Sequence, residues 1–348
     1  MTDTSSQRHS ESSTSDSTWA WHPSLPIEFG PVFIWPPQPL KTARYLLGGG
    51  YLVSQNLIYF ALAMASWFYL LPPIEDCKTF SFDWIAQLLV LNLAVVVIVA
   101  GGLHFYFYTF KREGDKRRYD ATPLGRNNPK FLGGNQVLDN MFYTTVSGMS
   151  ILTAFQAIVL WAYANGVAPW LDWDVNPVWF VLLFPALSFF GSLHFYLIHR
   201  LLHWRRLYKL AHALHHRNIN VGPWSGLSMH PIEHLLYFSF VFVHLVVAAH
   251  PLHLFFLSYA KVLSAISSHS GYANVFVKDN PVMDMGEFFH QLHHRYFDCN
   301  YGTLLMPWDK WLGSVHDGTA QATKRIRQLQ RERQLNRRAG EVTDSECI

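Results

Sequence analysis

Charge is scarce in this chain. Asp, Glu, Lys and Arg make up 15% of the 348 residues, well under the ~25% usual for soluble domains. The formal net charge is only +3, and no nucleic-acid partner is expected. Cysteine is scarcer still: Cys77, Cys299 and Cys347 stand far apart with no CxxC spacing, which excludes a disulfide framework and a thiolate zinc site. Cys347 is the penultimate residue, so the chain end is not a prenylation box. Met1 to about Ser17 is Ser/Thr-rich with no apolar core for a secretory signal, and reads as a disordered tail. HExxH, a His-Pro-Gly-Gly haem motif, a Rossmann or flavin fingerprint and internal repeats are also missing.

Long apolar runs are plentiful. Half of the residues are hydrophobic and 16% are aromatic. Runs at about Gly48–Leu71, Trp84–Phe110, Met141–Ala164 and Val178–Leu202 each approach or exceed the ~20 residues needed to cross a bilayer. Trp19–Pro39, rich in Trp, Phe and Pro, suits a non-helical segment at the membrane interface. If all four runs span, the basic stretches Lys111–Lys130 and Arg200–Arg217 fall on one side and the acidic loops on the other. The positive-inside rule makes the basic side cytoplasmic. Leu235–Ser268 is apolar but broken at His250-Pro251, so it enters and returns as a short helical hairpin or re-entrant pair.

These patterns predict an all-α integral membrane protein, with about four transmembrane helices, the hairpin and a cytoplasmic histidine-rich helical cap. The expected divisions are a tail over 1–18, a membrane-embedded domain over 19–318 and a charged, helix-prone C-terminal tail over 319–348. Both termini are expected in the cytoplasm. The host membrane would be the endoplasmic reticulum in a eukaryote and the inner membrane in a bacterium.

The histidines carry the chemistry. Fifteen of nineteen lie between His194 and His294. His199 and His203 are spaced i,i+4; His212, His215 and His216 form a trio, repeated by His290, His293 and His294. On a helix such spacing puts Cβ atoms roughly 5–6 Å apart on one face. Neutral imidazole is the commonest protein metal ligand, and three such clusters can fill the shells of two ions. Interfacial histidines that merely pair with phosphates or backbone would account for one cluster. Three clusters on one membrane side, where ionisable groups are costly, point to a metal centre.

The order HRLLH, LYKLAHALHH, MHPIEH, SHSGY, FFHQLHHRYFDCNYGT and PWDKWLGS, over roughly Ser192–Ser314, resembles the fatty acid hydroxylase/sterol desaturase superfamily. Its texture is closer to sterol desaturases and sterol methyl oxidases than to fatty acid 2-hydroxylases. The resemblance implies a non-haem enzyme with two iron ions that oxidises a lipid C–H bond with O2. Its box ligands would be His199, His203, His212, His215, His216, His290, His293 and His294. In the SHSGY element His269 stands where the family supplies a further ligand. The family's hydroxylases carry a second histidine four residues earlier, where this chain has Ala265; His230 of MHPIEH is the candidate replacement. Glu233 and Asp309 are candidates for carboxylates that orient a ligating imidazole, and His194, His234 and His104 are read as packing residues.

An unactivated C–H bond needs metal or cofactor chemistry, and two external electrons per turnover if O2 goes to water. With no cofactor motif in the chain, the electron donor is expected to be a separate protein of cytochrome, ferredoxin or reductase type. A nearly all-imidazole shell by itself suits Zn, Cu, Fe or Ni, so two readings remain open at this point: a membrane metal transporter, whose ligands would line a path near the midplane, and a zinc-dependent membrane hydrolase, which would want a carboxylate base and three ligands.

Overall fold

The computed structural model describes residues 19–278, 280–285 and 287–339; the expected tail over 1–18, and Cys347, lie outside the described residues. Helix dominates. Pro39–Leu47 forms α1. Gln55–Ala65 forms α2, started by the Ser54 side chain accepting from the Asn56 amide, and continues through a wide turn, Ser66–Leu70. Phe82–Thr109 (α3), Gln136–Ala164 (α4) and Pro177–Leu202 (α5) are long and apolar enough to cross a bilayer. Asn135 and Asn176 cap α4 and α5 by accepting backbone N–H groups of their first turns, which these termini otherwise leave unpaired. The first apolar run yields a shorter helix than the other three: from Gln55 to Leu70 it reaches about 24 Å at 1.5 Å per residue, against a hydrocarbon core of ~30 Å. The Gly48-Gly49-Gly50 stretch before it stays outside regular helix.

After α5 the chain runs through Arg205–Leu207, the wide π turn Tyr208–His212 and Ala213–His216, together α6. Pro231–Leu245 (α7) and Pro251–Ser268 (α8) form the expected hairpin. Then follow a two-stranded antiparallel hairpin, β1 (Asn274–Val277) and β2 (Asn280–Asp284), and the helices α9 (Phe288–Tyr296), α10 (Trp308–Trp311) and α11 (Ala320–Ala339). The β-hairpin departs from an all-helical reading. Val275, Val277 and Val282 favour extended backbone, and Lys278 takes φ 49° at the turn.

Helix α8 is the axis of the fold. It is buried on nearly every side, as expected of a helix apolar all round, and it packs on α2, α5 and the turn Pro223–Leu227. Gly226 permits that last contact, since a Cβ there would lie 2.1 Å from the Ala265 carbonyl oxygen. A polar chain crosses the bundle: Asn92 donates to Thr153 Oγ1 (2.9 Å) and Gln156 Oε1 (2.8 Å), and Gln156 donates to Ser258 Oγ (3.0 Å). Such bonds fix helix register in an apolar bundle. By contrast α3 and α5 leave Val90, Val97, Ile98, Val181, Leu182 and Leu197 exposed. Outward apolar faces on helices of spanning length mark a membrane protein.

Residues 19–38 are non-helical apart from one short turn. They strap α9, with Trp19 edge-on to Phe288 and Phe29 edge-on to Phe289, while Trp21 stacks on Tyr119. The Ile27 amide donates to Asp317 O.

Candidate metal centre

Helix α5 brings His199 to its last turn, and His203 ends it. The wide turn in α6 then resets the helix so that His212, His215 and His216 point back at α5, while α9 supplies His290, His293 and His294. Nine imidazoles meet in two buried groups: His199, His203, His212, His216 and His293; and His215, His269, His290 and His294. Within each group every histidine offers one ring nitrogen, and these atoms all lie within 4.8 Å of one another. The groups abut, with the His216 and His294 rings 4.9 Å apart.

The partition follows from helix geometry. Consecutive residues point ~100° apart at 3.6 residues per turn, so each His-His dipeptide feeds both groups. His216 and His293 join the first, while His215 and His294 join the second. His230 is brought to neither. It stands at the N-cap of α7, where Nδ1 accepts from the Ile232 amide (3.2 Å) and Pro231 takes the first helical position.

The groups fit a cation. His199 Nδ1 donates to Tyr301 O (2.7 Å), His293 Nδ1 to Cys299 O (2.6 Å), His269 Nδ1 to Ala265 O (2.8 Å) and His215 Nδ1 to Ser228 O (3.3 Å). A carbonyl can only accept, so these bonds assign the proton to Nδ1 and leave Nε2 a bare lone pair. His212 Nδ1 likewise donates to Glu233 Oε1 at 2.7 Å. The bare Nε2 atoms of His269 and His215 face each other at 3.3 Å, and other inward ring nitrogens crowd as closely: His293 Nε2 lies 3.0 Å from His216 Nε2, His212 Nε2 3.1 Å from His203 Nε2, and His269 Nε2 2.9 Å from His294 Nε2 and 3.1 Å from His290 Nε2. His199 Nε2 is buried with no partner. Converging lone pairs repel unless a cation sits between them. Separations near 3 Å are the edges of a polyhedron with metal–nitrogen bonds of about 2.1 Å.

Burial first, then neighbouring imidazoles, hold His212, His290 and His294 well below the ordinary imidazole value. Burial pushes His215 down to about 4. Neutral imidazoles are the form that binds metal.

Both expected carboxylates serve the histidines. Glu233 orients His212 directly. Asp309 acts one step further out: Oδ1 accepts from Tyr301 N (2.8 Å), Oδ2 from Gly302 N (2.7 Å), and the Ser314 hydroxyl donates to Oδ1 (2.6 Å). It thereby fixes the loop whose Tyr301 carbonyl holds His199. This loop begins with Phe297 and Asn300 at φ 66° and 53°, a conformation that costs energy in residues with a side chain. Phe297 faces the His216 ring at 4.9 Å. His234 braces the frame by bonding Leu227 O and Ser147 Oγ, and His194 bonds Ser239 Oγ.

Beside the two groups lies a cavity of about 60 Å³, walled partly by His199, His212, His215, His269 and His290 and otherwise by residues such as Phe195, Tyr237 and Lys261. Lys261 went unnoticed in the sequence because it sits alone in an apolar run with no spacing motif. A buried set of neutral imidazoles beside a small cavity can hold metal ions and present them to a guest.

Residues 184–314 match the fatty acid hydroxylase family. The chain is 30% identical over 196 residues to a Delta(7)-sterol 5(6)-desaturase of Candida glabrata, covering 54% of this chain and 51% of that protein. It is 30% identical over 173 residues to methylsterol monooxygenase 1 of Gallus gallus, covering 47% and 57%. A Delta(7)-sterol 5(6)-desaturase of Candida albicans is 25% identical over 285 residues, covering 74% and 69%. The chain thus spans about half the length of the first two of these relatives. No solved structure matches it. All three histidine clusters lie inside the segment that matches the fatty acid hydroxylase family, and over it this chain is similar to sterol desaturases and methylsterol monooxygenases.

Proposed function

We propose that this chain is a membrane-bound non-haem di-iron oxygenase that hydroxylates or desaturates a C–H bond of a sterol or fatty-acyl lipid, with O2 as co-substrate. The observation that carries this reading is the convergence of nine imidazoles, each turning one ring nitrogen inward, in two abutting groups. His199, His203, His212, His216 and His293 would hold one iron, and His215, His269, His290 and His294 the other. Bound iron supplies the redox chemistry that turns O2 on an unactivated C–H bond, which side chains cannot. The protein's part is positional. The carbonyls of Tyr301, Cys299, Ser228 and Ala265, with Glu233, fix five imidazoles in the tautomer that exposes Nε2. The cavity walls of Phe195 and Tyr237 keep the reacting segment of a lipid in an apolar, water-poor space.

The electrons would come from a separate protein of cytochrome, ferredoxin or reductase type. The oxygenase domain would extend over 19–318, with the metal centre and both termini on the cytoplasmic side of the endoplasmic reticulum or bacterial inner membrane. The test is mass spectrometry of lipid extracts from cells with and without the gene. The reading expects a lipid that gains one oxygen, or loses two hydrogens, only when the gene is present; identical lipid profiles would contradict it.

A further inference from the structure

Lys261 lies in α8 among apolar residues and is buried, at 9% exposure. Its Nζ donates to Gly191 O at 3.2 Å. The ammonium rests over two rings, 4.6 Å from the Phe195 centroid and 5.2 Å from that of Tyr237. Among the described residues no carboxylate pairs with it and that carbonyl is its one hydrogen-bond acceptor. A lysine amine carries two N–H donors, three when protonated, so at least one is left over. A buried donor without an acceptor is costly, and an amine that only braced α5 against α8 could be replaced by an apolar side chain.

The surplus donors border the cavity beside the metal centre. Phe195 is the spacer: the ring under the ammonium is also 5.0 Å from the His199 ring and 6.3 Å from the His290 ring. Glu287 and Glu233 line the same cavity, and Oε2 of each is buried without a partner. Unused donors and two unused carboxyl oxygens thus share one small space. A carboxylate guest would satisfy the lysine but add a third carboxyl group beside Glu287 and Glu233. A hydroxyl accepts as well as donates and adds no charge.

We propose that Lys261 is a substrate-binding residue that donates to the hydroxyl oxygen of a hydroxyl-bearing lipid, and so places the lipid's reacting carbon at the metal centre. This rests on the lipid-oxygenase reading and narrows its substrate class to lipids with a free hydroxyl, away from free fatty acids. One aromatic ring separates anchor from metal centre, so the oxidised carbon lies a few bonds from the anchoring oxygen. The cavity holds a small polar group and the carbons next to it; the rest of the lipid lies outside.

The test measures dissociation constants of four probes on the purified chain in detergent: cholesterol and its hydrocarbon counterpart cholestane, palmitic acid and hexadecane. Wild type should prefer cholesterol to cholestane by about ten-fold or more, the weight of one hydrogen bond to a charged group. Palmitic acid should gain no such preference over hexadecane. In Lys261→Met the cholesterol preference should fall to about one while cholestane binding is retained, a ratio that a merely structural lysine would not move. Should that variant fail to fold, Lys261→Gln, which keeps a donor for Gly191 O, is read in its place. A cholesterol preference that survives in the variant overturns the proposal. Equal binding of cholesterol and cholestane by wild type, or a preference confined to palmitic acid, also overturns it and leaves the lipid-oxygenase reading standing. Wild type that binds none of the four removes both.

Discussion

Glu233 offers the sharpest perturbation because it touches one presumed ligand and nothing else in the centre. Its Oε1 accepts from His212 Nδ1 at 2.7 Å, and both side chains are at most 2% exposed. The other oxygen, Oε2, is buried without a partner. In Glu233→Leu the His212 N–H loses its acceptor, and the tautomer that presents Nε2 is no longer enforced. Loss of such an orienting partner costs about 10–100-fold in metal affinity, or roughly 1.4–2.8 kcal/mol. Glu233→Gln can keep an acceptor while losing the charge, and neutral bonds are roughly half as strong, so it should sit near the ten-fold end. Stability of the metal-free protein should move differently. Removing an oxygen that is buried and unpaired relieves a desolvation cost of about 1–3 kcal/mol, which offsets the lost bond, so the melting temperature should change little. The assay is competition against a chelator of known affinity, beside a thermal melt of the metal-free form. Unchanged metal affinity in Glu233→Leu would refute the reasoning, and so would a fall in affinity accompanied by an equal collapse of metal-free stability.

Three further outcomes follow. His215 is held down to about 4 by burial, below an unfolded value near 6.5, so its contribution, on the order of 3 kcal/mol, is complete above about pH 6.5 and is lost as pH falls toward 4; melting of the metal-free protein should show this decline, and a flat profile from pH 7 to 4.5 would contradict it. His269→Ala should lose metal from the four-imidazole group, whereas His230→Ala should keep a full complement and lose only a helix cap worth about 1 kcal/mol; elemental analysis beside a melt separates the two, and metal loss in His230→Ala would restore that residue as a ligand. Single cysteines at the exposed positions Lys116 and Asp174 should label from opposite sides of the membrane, with Cys77 and Cys299 silent because both are buried; labelling of both from one side would refute the proposed topology.

Much of this was legible in the sequence because bilayers and helices impose strict rules. The runs at about Trp84–Phe110, Met141–Ala164 and Val178–Leu202 became α3, α4 and α5 to within a few residues, apart from an amphipathic first turn added to α4. The break at His250-Pro251 became the turn between α7 and α8 because proline favours a helix's first position. The run at 48–71 was overread, since apolar composition does not reveal that three glycines and the Ser54 cap delay the helix. Histidine spacing located the centre but could not divide it, because which of two adjacent imidazoles faces which group depends on how α6 and α9 are rotated. Backbone carbonyls of Cys299, Tyr301, Ser228 and Ala265 orient four of the imidazoles, and a carbonyl leaves no mark on the residue type that carries it. His230 stands outside both groups for a related reason: a histidine before proline suits an N-cap as well as a lid, and in the structure it accepts from the Ile232 amide.

The central claim is that two iron ions sit in two imidazole groups. The direct measurement is elemental analysis of the purified protein with His290→Ala and His293→Ala beside it, one substitution in each group. The account predicts close to two iron per chain in the parent and close to one in each variant. Zinc in place of iron, or an undiminished metal content in both variants, would contradict it.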